Sequence, residues 1–115
     1  MPKLGAMLSS TEIATVVDNA NTSITLALTD AGDYIRCTAS SAVTITVPLQ
    51  SSVAWLADTE IYIEQNGTGQ VTIVGASGVT VNSSQTLKTA SRYSVIALKR
   101  VASDVWTLLG DRQAA

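Results

Sequence analysis

The chain of 115 residues has no histidine, no phenylalanine, one cysteine and two prolines. Without histidine it lacks the commonest general base and the commonest transition-metal ligand. Ser/His/Asp and Cys/His nucleophile systems are therefore excluded within a single chain. The one cysteine, Cys37, can neither build a zinc site alone nor close an internal disulfide. It lies in the apolar run YIRCTA and reads as a buried free thiol rather than a nucleophile or an intermolecular bridge. No apolar run approaches the ~18 residues of a membrane helix, so no membrane partner is expected. MPKLGAMLSS lacks the apolar core of roughly 7–15 residues that marks a secretory signal, which points to a chain made and kept in the cytoplasm until assembly. Charge is sparse too. Seven basic and nine acidic residues leave a formal charge of -2, and the basic residues are dispersed, so no phosphate-binding track and no nucleic-acid partner are expected. NGTG and GASG are neither a Walker A loop nor a dinucleotide fingerprint, and no cofactor is implied.

What the chain does have is β-branched residues at period two, from about Ser23 onward. That pattern suits pleated, half-buried strands better than helices. Strands are predicted at SITLAL (23–28), YIRCTA (34–39), AVTITV (42–47), EIYIEQ (60–65), QVTIV (70–74), VTVN (79–82), SVIALKRV (94–101) and VWTLLG (105–110). The breaks carry turn chemistry: Gly32 in TDAGD, the hairpin dipeptide Asn66-Gly67, the GASG pair and the polar corner ASD, each of which favours antiparallel neighbours. Pro48 ends AVTITV because it cannot donate to a ladder. Inward faces are expected at Ile24, Leu26 and Leu28, at Val43, Ile45 and Val47, at Ile61 and Ile63, at Val71 and Ile73, and at Val79 and Val81. SVIALKRV differs in being apolar on both faces over its first half, so one of them is free to meet something other than its own core. QVTIV and GVTVN look alike, and a hairpin or meander is the reading preferred over a β-helix fragment. A β-helix needs more copies at a fixed period, and AVTITV lies too far away to supply one. The sequence thus predicts an all-β fold, a single-domain antiparallel β-sandwich or small barrel over 21–115 with an extended N-terminal arm over 1–20.

The arm carries Leu4, Met7 and Leu8, too apolar for a solvated tail and too few to fold alone. It is expected to dock on a neighbouring subunit; an ordinary disordered terminus is the alternative. A short helix over SSTEIATVV would be a poor one because of its β-branched residues. The remaining chemistry is carboxylate: Asp30 with Asp33, and Asp58 with Glu60, could flank a glycosidic bond or hold calcium. Both pairs sit at turns or strand ends, where acids cap and blunt, and read as solvated turn residues. Glu64 reads as outward-facing. Among the aromatics, Trp106 reads as core, whereas Trp55, in the long loop after Pro48, is the exposed candidate for an interface anchor or a sugar platform. Leu56 beside it joins the candidate interface set with Leu4, Met7, Leu8 and Trp55.

Three segments, DAGDYIRCTASSAVTITVP, EIYIEQNGTGQVTIVGASGVTVNSS and SRYSVIALKRVASDVWTLLGD, together resemble a small all-β module of tailed-bacteriophage virion proteins. The closing cadence Tyr93, Ser94, Lys99, Asp104, Trp106, Leu108, Gly110 and Asp111 is its most specific part. The resemblance covers the second half of the chain with residues 30–48 and omits the first twenty. It implies a structural virion protein, not an enzyme, of head decoration (cement), tail-fibre or baseplate type, made in the host bacterial cytoplasm. The reading favoured by a small domain with a sticky arm is a decoration protein on the head surface, a homo-oligomer, expected as a trimer, partnered by the major capsid protein. A tail module that adheres to a host-surface glycan is the alternative.

Overall fold

A computed structural model describes residues 14–115. Nine strands account for the order: β1 (Val16–Asn19), β2 (Ser23–Thr25), β3 (Tyr34–Cys37), β4 (Val43–Val47), β5 (Glu60–Gln65), β6 (Val71–Gly75), β7 (Thr80–Asn82), β8 (Val95–Ala102) and β9 (Val105–Gly110). Among the described residues the only helical element is a 3-10 turn at Leu28–Asp30. The all-β expectation holds, and each expected strand has a counterpart. The pairing does not follow the expectation.

The strands form a six-stranded sheet in the order β1-β3-β5-β8-β9-β7 and a three-stranded sheet in the order β2-β4-β6. β1, β3 and β5 are parallel neighbours, as are β2, β4 and β6. The chain therefore winds as a solenoid of three coils, each contributing one strand to each sheet: β1 with β2, β3 with β4, β5 with β6. Antiparallel pairing between strands enters where β8 covers β5 and β9 folds back on β8, and isolated antiparallel bridges join Thr72 to Lys88 and Thr89 to Arg112. This corrects the antiparallel sandwich or barrel. The turns that suggested hairpins are corners that carry the chain from one sheet to the other, and only the ASD corner closes a true hairpin, β8 to β9.

The second and third coils repeat without a slip. Tyr34 stands on Tyr62, and Val43 on Val71, the same 28-residue step in both sheets. The corner between strands keeps the step: Gly69 N–H donates to the Ala39 carbonyl at 3.1 Å, and Thr68 Oγ1 donates to the Ser40 carbonyl at 3.2 Å. AVTITV is thus the direct partner of QVTIV. QVTIV and GVTVN, in contrast, are not paired: β6 lies in the small sheet, while β7 runs parallel to β9 in the large one.

Alternation explains the core. The inward residues Ile35, Val43, Ile45, Val47, Ile61, Ile63, Val71, Ile73, Ile96, Leu98, Trp106 and Leu108 are all buried, and with Ile24, Leu26, Cys37 and Trp55 they form one cluster between the sheets. Leu28 departs from its expected inward face, because the strand ends at Thr25 and the 3-10 turn leaves that side chain 48% exposed. The expected arm over 1–20 is also shortened: Val16–Asn19 is strand β1, in register with β3. Residues 1–13, including Leu4, Met7 and Leu8, lie outside the described residues.

Candidate functional site on the outer face of the large sheet

Side chains on the outward face of the large sheet fall into rows set by register. One row runs Val16, Tyr34, Tyr62, Ala97, Leu109 across five strands. Ala97 is the small member between two large ones, and the result is a groove of about 260 Å³ lined by Glu60, Tyr62, Ala97, Leu98, Lys99 and Leu109. Leu109 is 47% exposed there, and Val16 at the far end of the row is 59% exposed. This is the surplus apolar face anticipated for SVIALKRV. Its other half, Leu109, was legible only from the doubled leucine of VWTLLG, where alternation allows just one of the two to point inward.

The rim of the groove is polar and fixed. Lys99 Nζ lies 3.0 Å from Glu60 Oε2 and donates to the Asp58 carbonyl at 2.9 Å, while the Tyr62 hydroxyl donates to Glu60 Oε1 at 2.7 Å. The Tyr62 bond and the Lys99 ammonium hold the Glu60 carboxyl below its ordinary range. The next row is a charged strip. Glu64 accepts from Asn66 Nδ2 at 3.1 Å and from the Tyr34 hydroxyl at 2.8 Å, and those two bonds, with Arg36 nearby, lower its pKa as well. Arg36 in turn reaches Asp18 at 3.1 Å. Both phenols are pushed upward, Tyr34 mainly by burial and Tyr62 mainly by its bond to Glu60. At neutral pH the carboxylates stay ionised and the phenols protonated, so every proton sits where its local bond already wants it.

One carboxylate of each pair, Asp30 and Glu60, has a side-chain partner in the fold. Asp30 accepts the Ala27 N–H at 2.8 Å across the 3-10 turn. Burial, then the charge of Asp30, pushes the Asp33 carboxyl up. Asp58 adopts a left-handed φ of 66°, and Glu60 is held by Lys99 and Tyr62. Glu64 faces outward, as expected. Among the described residues no group of three or more Cys, Asp or Glu side chains is placed to hold a metal ion. Cys37 is fully buried, and burial pushes its thiol up to about 11, so it is neither a ready nucleophile nor a surface bridge.

Trp55 is the clearest correction among the candidate interface residues. It is 3% exposed and meets Trp106 edge to face, with ring centroids 5.3 Å apart. The loop after Pro48 turns inward because it bridges the gap between the two sheets, and a large apolar ring fills that gap. Its neighbour Leu56 is 76% exposed and stays available for contact. Trp106 is core, as expected. The exposed aromatic is instead Tyr93, 61% exposed, with the Arg92 guanidinium 4.9 Å above its ring. Comparison with known proteins finds no match: no family model, no curated protein and no solved structure is similar enough to this chain to inform its reading.

Proposed function

We propose that this protein is a structural component of a tailed-bacteriophage virion, a decoration or cement subunit that binds the head lattice through the outer face of its large sheet. The single observation behind this reading is the groove between Tyr62 and Leu109 over Ala97, apolar at its floor and rimmed by the Glu60–Lys99 pair. Such a surface suits a partner's apolar side chain with polar groups around it, the arrangement that protein interfaces use. Action is by adhesion. At ~25 cal/mol per Å2 a contact burying several hundred Å2 of apolar area grosses several kcal/mol before ordering costs reduce it, so one copy binds weakly. A trimer presenting three such faces to a symmetric shell multiplies the effect through effective concentration. The glycan-binding tail reading rested on Trp55 as an exposed platform, and the burial of that ring removes its main support.

The test uses purified protein and purified virions fractionated into heads and tails. The chain is expected in the head fraction, and Ala97→Arg, which fills the groove, is expected to lower retention on heads at least tenfold while leaving the melting temperature unchanged. Recovery with tails, or undiminished binding by A97R, would sink the proposal.

A further inference from the structure

The groove over Ala97 has a width and a polarity that narrow what can enter it. Tyr62, Ala97 and Leu109 are register partners on β5, β8 and β9. Tyr62 and Leu109 therefore stand two strand spacings apart, roughly 9.5 Å, with only a methyl group between them. The Tyr62 hydroxyl donates to Glu60 Oε1 at 2.7 Å, two residues back on the same strand, so the ring lies along β5 as a wall and does not fold over Ala97. Leu109, 47% exposed, makes the opposite wall. Van der Waals contact takes ~3.5–4.0 Å on each side of an inserted group, or about 7–8 Å for one flat ring with a wall on either face. A planar ring fits such a slot. A branched aliphatic group or a puckered sugar is thicker and has to push a wall aside.

Glu60 supplies the second constraint. It lines the groove, and its carboxylate accepts from the Tyr62 hydroxyl at 2.7 Å and from Lys99 Nζ at 3.0 Å. A carboxylate offers about four acceptor positions, so about two are left for a ligand. Covering them with a wholly apolar group would strip water from a charged oxygen and return nothing. We propose that the partner fills this slot with an amphipathic aromatic side chain, the indole of a tryptophan or the phenol of a tyrosine. Its ring lies between Tyr62 and Leu109 over Ala97, and its N–H or O–H donates to Glu60. Tryptophan and tyrosine are apolar in body and polar at one end, and interfaces concentrate binding energy on them. A sugar carries hydroxyls all around its rim, and a slot with an apolar floor and apolar walls can pair only those at the Glu60 end. The assignment rests on the groove being the adhesive surface and adds the chemistry of its occupant.

Indole titrated into the full chain, followed by backbone amide chemical shifts, tests the occupant without any virion. Shifts are expected at Tyr62, Ala97, Lys99 and Leu109, saturating with a Kd on the order of millimolar for so small a ligand. N-methylindole keeps the ring and loses the donor, and is expected to bind about tenfold more weakly, the weight of one hydrogen bond to a charged group. N-acetyl-leucinamide and methyl glucoside are expected to leave these amides unmoved, and Ala97→Arg to abolish the response to indole. Silence toward indole, equal affinity for N-methylindole, or a stronger response to the leucine amide or the glucoside would each overturn the proposal. Retention on heads separates its failure from that of the reading beneath it. Heads that release A97R while indole gives no shift would keep the surface and sink the aromatic occupant. Indole seated in the slot, with heads holding A97R as firmly as the native chain, would keep the occupant and sink the role on the shell.

Discussion

Gly67 and Gly69 decide how closely the third coil can stack on the second. A Cβ on Gly67 would collide with the carbonyls of Thr38 and Ala39, and one on Gly69 with the Ser41 carbonyl, all of them backbone atoms of the corner beneath. Backbone cannot swing aside as a side chain can, so the coils would have to part and the ladder between them stretch. Gly67→Ala and Gly69→Ala are each expected to destabilise the fold by about 3 kcal/mol, the upper part of the overpacking range. Gly32 is glycine for another reason. Its φ is +80° and open space surrounds it, so Gly32→Asn, which tolerates the left-handed region, is expected to be nearly neutral. Chemical denaturation of the three variants checks this contrast. Similar losses at all three positions would mean that conformational freedom, not coil spacing, is what these glycines supply.

At the scale of elements, the strands were legible and their partners were not. Alternation in AVTITV, EIYIEQ, QVTIV and VWTLLG marks a strand wherever one face is buried, whichever way the neighbour runs. Direction is carried by the connections, and here the local signals mislead: Asn66-Gly67 has hairpin chemistry but serves as a coil corner. The informative signal was a 28-residue step that sets DYIRC above IYIEQ and AVTITV above QVTIV, hidden because the first coil is shorter and breaks the period. The outer groove was half legible, since SVIALKRV is visibly apolar on both faces. Its completion by Tyr62 and Leu109 depends on which strands flank β8, and that is a tertiary fact. Trp55 was misread because a loop residue gives no hint of facing inward when the gap it fills is made by two distant sheets.

β5 also sets the acid response of the fold. Glu60 and Glu64 both have folded-state pKa values lowered from the ordinary 4.5, the first chiefly by the Tyr62 hydroxyl and the second chiefly by Asn66. Their contribution to stability is fully present above 4.5 and is lost as pH falls through the lowered values. Asp33 works in the opposite sense: its pKa is raised, mainly by burial, so protonation favours the folded state as pH falls. Below the ordinary glutamate value Glu60 and Glu64 both lose the ionised form that their hydrogen-bond partners favour. Thermal stability is expected to hold from neutral pH down to the ordinary glutamate value of 4.5 and to decline below it. Glu64→Gln, which cannot titrate, should flatten that decline. An unchanged slope in E64Q would show that the Asn66 and Tyr34 contacts do not distinguish the ionised carboxylate from the neutral one.

For the whole molecule, the question is whether three coils and a hairpin melt as one body. Three coils are the fewest that repeat architectures sustain, and each coil here touches only its neighbours, which favours piecemeal opening. Two features oppose that. The radius of gyration of 13.8 Å is close to the ~13 Å of a compact domain of 100 residues, and the body measures 39 × 30 × 24 Å, so the stack is compact rather than drawn out. The core is a single cluster in which Trp55, from the connection between the second and third coils, packs edge to face on Trp106 of β9, tying the solenoid to its C-terminal cover. These are the only two tryptophans, so emission reports that junction alone, while circular dichroism reports strands everywhere. The two melting curves are expected to superimpose, with one calorimetric transition whose enthalpy matches the van't Hoff value. A tryptophan signal that changes several degrees before the strands do would mean that the β8–β9 cover detaches first, and that the coils hold together without it.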